Sequence, residues 1–162
     1  MSGDMVRDYG YLTLGSRLKR LGERMQADVQ RLTAARGFEL HGALWTMLGA
    51  LDRDGPLTVG ELAQTLGIAQ PGVTRSLAQL EARGLVKPSR ADRDQRVKLV
   101  ALTEQGQTLV DHAKRDIWPS VAGAVAEICA GLDGPLLDQL TRIEEALAER
   151  PLDQRAKQED DA

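Results

Sequence analysis

The stretch from Thr58 to Thr103 constrains the fold of this chain most, because its helix start and stop signals come at a spacing that few packings satisfy. Thr58 can cap a helix, and Glu61, three residues on, can reach back to the cap's own backbone N–H and close a capping box. Leu62, Ala63 and Leu66 then form an inward face, and Gly67 stands where a helix commonly ends in a left-handed residue. Pro71 suits the first turn of a second helix, Val73, Leu77 and Leu80 continue at helical spacing, and Gly84 ends it. Ala63, Gly67 and Val73 have linked tasks: a small residue at a close crossing, a turn residue that accepts positive φ, and an apolar anchor from the second helix into the first. Leu85-Val86-Lys87 is expected as a strand, Pro88 to Arg96 as a polar loop rich in charge, and Val97 to Leu102 as a second strand. Helix, turn, helix and hairpin is the order of a winged helix-turn-helix.

The flanks read as helices. From Tyr11, apolar residues recur at Leu14, Leu18, Leu21, Met25, Val29 and Leu32, a narrow stripe close to a coiled-coil seam. The opposite face holds Arg17, Lys19, Arg20, Arg24 and Arg31, residues 1–8 are expected to be loose, and Gly37 breaks the helix. A second helix, around His41 to Leu51, should bury Leu44, Met47, Leu48 and Leu51, with Asp52 to Pro56 as a turn. After the wing, Thr103 can cap a long helix to about Ala130, which Pro119 should kink near Trp118. A last helix follows Asp133-Gly134-Pro135 with a stripe of Leu136, Leu137, Leu140, Ile143 and Leu147. The predicted fold is mainly α, with β structure only in the small wing. Its order is helix, helix, a short strand in some cases, helix, helix, strand, strand, helix, helix. Residues 54–103 form the winged unit, 8–36 and 104–150 a helical dimerisation region, and 151–162 a flexible polar tail. The terminal apolar stripes exceed what one small winged core can cover, which points to a twofold dimer.

At 162 residues, 42% hydrophobic and 28% charged, the chain has the length and composition of one soluble domain. No apolar run approaches membrane-spanning length and no signal peptide precedes the first helix, so a cytoplasmic location is expected. The single Cys129 excludes an intrachain disulfide framework, and its place near the end of the fifth helix suggests a buried small hydrophobe. Net charge is −3, but Gln70–Val100 carries seven basic residues against three acidic ones, +4 within that stretch and −7 over the rest. A basic patch on an acidic body is an electrostatic footprint for nucleic acid. Aromatic content of 3% argues against a stacking platform for single strands.

The run Leu57–Gly106 resembles the multiple-antibiotic-resistance regulator (MarR) family of bacterial transcription factors. The most specific match is the wing signature Asp94-Gln95-Arg96, followed after five residues by Leu102-Thr103. The resemblance implies a homodimeric regulator, with repression the more common role, on a pseudo-palindromic duplex with half-sites about one helical turn apart. Residues at the start of the second helix would enter the major groove: Gln70, Pro71, Gly72, Thr74, Arg75 and Ser76. Gln70 can pair with adenine, Arg75 with guanine or phosphate, and Gly72 permits close backbone approach. By resemblance Arg96 inserts in the minor groove and Asp94 orients it, with Arg90 and Arg93 on phosphates. The family commonly caps this helix with Ser or Thr where Ala69 stands here.

Many relatives release DNA when a small aromatic or phenolic anion binds between the helical region and the winged unit. In this chain Tyr11, Leu14, Arg17, Leu18, Trp45, Leu48 and His112 would line such a crevice. His41 and His112 lack metal-ligand spacing, and no P-loop, dinucleotide glycine pattern, His-Glu-x-x-His or nucleophile elbow occurs, so neither a metal, a cofactor nor an enzyme is expected. The alternative is an architectural or protein-interaction module without ligand control.

Overall fold

The computed structural model describes residues 4–90 and 96–155, which fall into a winged unit, 42–117, and a helical unit drawn from both ends of the chain.

The winged unit opens with α3 (Gly42–Asp54), numbered after α1 (Met5–Asp8) and α2 (Leu14–Ala35) of the helical unit. Leu44, Met47, Leu48 and Leu51 of α3 are buried as their spacing predicts. Its helix runs beyond the expected end at Leu51, and the turn comes at Gly55, with φ +78°. At the start of α4 (Val59–Leu66) the capping box forms in full. Glu61 N–H donates to Thr58 Oγ1 at 3.1 Å, and Thr58 N–H donates to Glu61 Oε2 at 2.7 Å. That amide holds the Glu61 carboxyl below its usual range. Gly67 takes φ +65°, and the N–H groups of Ile68 and Gly67 close onto the carbonyls of Ala63 and Gln64. The chain then enters α5 (Gln70–Ala82), where Ala69 makes no side-chain cap and Pro71 occupies the first turn.

Strands β1 (Val86–Arg90) and β2 (Lys98–Leu102) pair antiparallel, Val86 opposite Leu102 and Arg90 opposite Lys98. The first strand is longer than the sequence suggests, because Pro88 lies within it. It is tolerated since β1 is an edge: β2 uses its other side for a bridge between Val100 and Leu57. Behind the hairpin, α6 (Glu104–His112) packs against the turn between α5 and β1 at unusually short range. A Cβ on Gly106 would stand 2.0 Å from the carbonyl oxygen of Leu85. The Thr103 hydroxyl fastens this corner, donating to Gly84 O at 2.6 Å and accepting from Gly106 N–H at 3.0 Å. Asp52 of α3 receives Lys114 at 2.7 Å and Gln107 at 2.8 Å, and the ammonium holds its carboxyl below the usual range.

The long helix predicted after the wing is interrupted one turn ahead of its proline. A π turn, Ala113–Ile117, separates α6 from α7 (Trp118–Cys129). Pro119 has no N–H for the carbonyl four residues before it, and the wider turn absorbs that mismatch.

In the helical unit, the described part of the expected loose start is instead helical, and residues 1–3 lie outside the described residues. Asp4 caps α1 through Val6 N–H, and Arg20 of α2 donates to both its carboxylate oxygens. Gly10, at φ +56°, then turns the chain through a 3-10 segment, Gly10–Thr13, into α2. Arg17, only 2% exposed, reaches α8 (Leu136–Glu149) and donates to Glu144 through two nitrogens, at 2.7 and 2.8 Å, and to Thr141 at 2.7 Å. Arg24 donates to the carbonyl of Leu147, whose helical partner would have been the missing N–H of Pro151.

The expected flexible tail also requires correction over its described part. Residues Leu152–Arg155 form a short helix, α9, with Leu152 fully buried. Its N–H donates at 3.1 Å to Asp28, itself 2% exposed and paired with Arg31. Arg155 closes the end of α8 by donating to the carbonyls of Ala146 and Arg150 and pairing with Glu127. Residues 156–162 lie outside the described residues. Cys129 is exposed rather than buried: Ser120, Ala124 and Ile128 hold the inward positions of α7, and residue 129 falls one step off that stripe.

Two substitutions test this packing. Gly106→Ala should destabilise the chain by about 1–3 kcal/mol, because a backbone carbonyl must retreat from the added methyl. An unchanged thermal midpoint would show that the corner is slack. Leu152→Ala should cost about 2–5 kcal/mol in urea unfolding if the last turn is packed as described. A loose tail would leave the midpoint where it was.

Candidate nucleic-acid interface

The outward face of α5 is built by what its inward face must do. Val73, Leu77 and Leu80 are buried at spacings of four and three, which fixes the helix's rotation about its own axis. Gln70, Pro71, Gly72, Thr74 and Arg75 are thereby left exposed, and Ser76 is half-buried at the margin. The amino-terminal end of α5, with its uncapped amides, is therefore presented outward together with a polar side-chain set. Gln70 is not fully extended from this end, since its amide nitrogen lies 3.7 Å from the position of a Cβ on Gly60, in the first turn of α4.

The wing adds cations. Arg90 is exposed at the end of β1, and Arg96 is exposed in the turn that leads into β2. Arg93 and Asp94 lie outside the described residues. The register adds a residue that was counted as basic in the sequence but not assigned to the interface. Lys98 stands directly across from Arg90 and is also exposed. This pairing is set by the hairpin's register and not by spacing along one strand.

Charge pairing separates the two units. In the helical unit the arginines are largely engaged at home: Arg7 with Glu145, Arg17 with Glu144, Arg20 with Asp4, Arg31 with Asp28 and Asp153, and Arg142 with Asp133. In the winged unit Arg53 pairs with Asp54 and Lys114 with Asp52. Arg75, Lys87, Arg90 and Lys98, in contrast, form no ion pair with another described residue. Exposed cations without internal counter-charges are what a polyanion needs, since each phosphate they neutralise releases condensed counterions.

The residues suggested for a ligand crevice fall in both units. Tyr11 and Leu18 are exposed and Leu14 half-buried in the helical unit, while in the winged unit Trp45 and Leu48 are buried and His112 is half-buried. The carboxylate that Arg17 holds is the chain's own Glu144, so its guanidinium is already occupied. His112 faces Asp116 at 3.2 Å, one turn along. Among the described residues no group of three or more His, Cys, Asp or Glu side chains could hold a metal, and no helix is long and apolar enough to cross a membrane.

Comparison with known proteins agrees with this geometry. Residues 40–96 match the model of the MarR family. Among solved structures, the transcriptional repressor CouR bound to a 23-mer DNA duplex is 28% identical, with a TM-score of 0.63 over 86% of this chain and 94% of that one. BpsR of Bordetella bronchiseptica, whose DNA binding is regulated by 6-hydroxynicotinic acid, is 25% identical, with a TM-score of 0.59 over 83% and 90% of the two chains. A mutant of MarR from E. coli in complex with operator DNA shares the fold, with a TM-score of 0.65 at 18% identity over 91% and 98% of the two chains. The matched segment contains α4, the tight turn at Gly67, the outward-facing α5 and Arg96, and this chain has the winged-helix fold of the MarR structures it matches.

Proposed function

We propose that the chain is a sequence-specific transcriptional regulator and not an enzyme, a homodimer that binds a pseudo-palindromic operator in duplex DNA. The supporting observation is the presentation of α5: three buried apolar residues fix its rotation and leave its polar amino-terminal face exposed, in the same unit as the exposed wing cations Lys87, Arg90 and Lys98. In this reading Gln70, Thr74, Arg75 and Ser76 read base edges and phosphates in the major groove, with Pro71 and Gly72 setting the approach. Arg96 enters the minor groove, and Arg90 and Arg93 neutralise phosphates. Asp94 orients Arg96 by its charge.

The helical unit is read as the dimerisation region. Met5, Tyr9, Tyr11, Leu12, Leu18 and Leu136 are large apolar side chains exposed on it, and burying them would favour association. A second copy is the occupant that the family offers. Repression is the role of CouR, and control by a small aromatic or phenolic ligand is suggested by BpsR. Arg17 is not the anchor we assign to that ligand, because Glu144 already saturates it.

Arg96→Ala is expected to weaken duplex binding about uniformly across sequences and to lower the slope of log affinity against log salt by about one. Gln70→Ala should change base preference, with about 1–3 kcal/mol lost only against the preferred base. Fluorescence anisotropy on matched and mismatched duplexes reads both. Unchanged affinity of Arg96→Ala at moderate salt would remove the wing from the interface.

A further inference from the structure

We propose that Arg90 and Lys98 together clamp one DNA phosphate at the outer end of the wing, an inference that rests on reading the winged unit as a duplex-binding surface. The two residues are directly opposite in the antiparallel ladder, so their side chains leave the same face of the hairpin, with Cβ atoms about 5 Å apart. Along that face the pairs change character. Val86 with Leu102 and Pro88 with Val100 are uncharged, and only the last described pair carries two cations. Both are exposed, and neither forms an ion pair with another described residue. Like charges placed opposite one another destabilise a hairpin, so this pair works against the free wing. An anion held between them would reverse that repulsion, and a tetrahedral phosphodiester oxygen pair matches two donors that approach from adjacent strands. Arg supplies a planar fork and Lys a compact charge, which lets one group meet both non-bridging oxygens.

The test is a salt series of duplex affinity for the full-length chain and its Arg90→Gln, Lys98→Gln and double variants, with the thermal midpoint of each protein measured alone. Arg53→Gln, at a paired position of the same unit, controls for net charge. Each single neutralisation should weaken binding several-fold at physiological salt but lower the log–log slope by less than one, because the remaining cation still meets the phosphate. The double variant should lose about one unit of slope, because both cations serve one phosphate. The midpoints of the single variants should equal or exceed that of the parent.

Unchanged affinity in Lys98→Gln overturns the clamp, as does an equal loss in Arg53→Gln. A loss of about two units in the double variant would mean two separate phosphates and no shared site. A falling midpoint alongside the affinity loss would assign Lys98 to the wing's folding instead. If the parent chain shows no salt-dependent duplex binding, the reading of the whole unit fails, and the clamp with it.

Discussion

The corner where Gly106 meets the carbonyl of Leu85 carries the rest of the winged unit. At this point the end of α5, the start of β1, the end of β2 and the first turn of α6 share one small volume, and the Thr103 hydroxyl serves two of them at once. The carbonyl of Leu85 also accepts from Thr103 N–H at 3.1 Å, so no polar group at the crossing is left without a partner there. The root from which the wing extends is set by this contact, while the buried Val73, Leu77 and Leu80 set the direction in which α5 presents its polar face.

Charge disposition then divides the labour. Helical-unit arginines meet carboxylates of the same unit, some of them buried, as at Arg17 with Glu144 and Asp28 beneath Arg31. Such pairs orient helices more than they stabilise them, since desolvation offsets much of the attraction. Arg75 of α5 and Lys87, Arg90 and Lys98 of the wing form no ion pair with another described residue, which leaves them available to a polyanion. A net charge of −3 therefore says little about partners, whereas the location of the unpaired cations says a good deal.

Local signals were legible wherever one residue type has one physical use. Thr58 with Glu61, the positive φ at Gly67 and the buried series Val73, Leu77 and Leu80 follow directly from capping, left-handed geometry and helical spacing. Long-range pairings were not. Nothing near Leu152 in sequence announces that Asp28 waits to accept its N–H, 124 residues away. Gly106 reads as an indifferent helix glycine until Leu85 is placed against it, and Lys98 gains meaning only from the register that sets it across from Arg90. Pro88 suggested a loop, because its tolerance in a strand depends on which side of the sheet is an edge. At Pro119 the disturbance was foreseen, and only the form it takes, a π turn one step earlier, was not.

The most direct measurement is a selection of binding sites by the purified chain from fragments of its source genome at physiological salt. Enrichment of a single pseudo-palindrome, with half-sites about one helical turn apart and near promoters, is the expected result for a twofold regulator led by α5. Retention of fragments with no shared motif, by folded protein, would contradict base reading by Gln70 and its neighbours and leave only a charge-driven, architectural role for the wing.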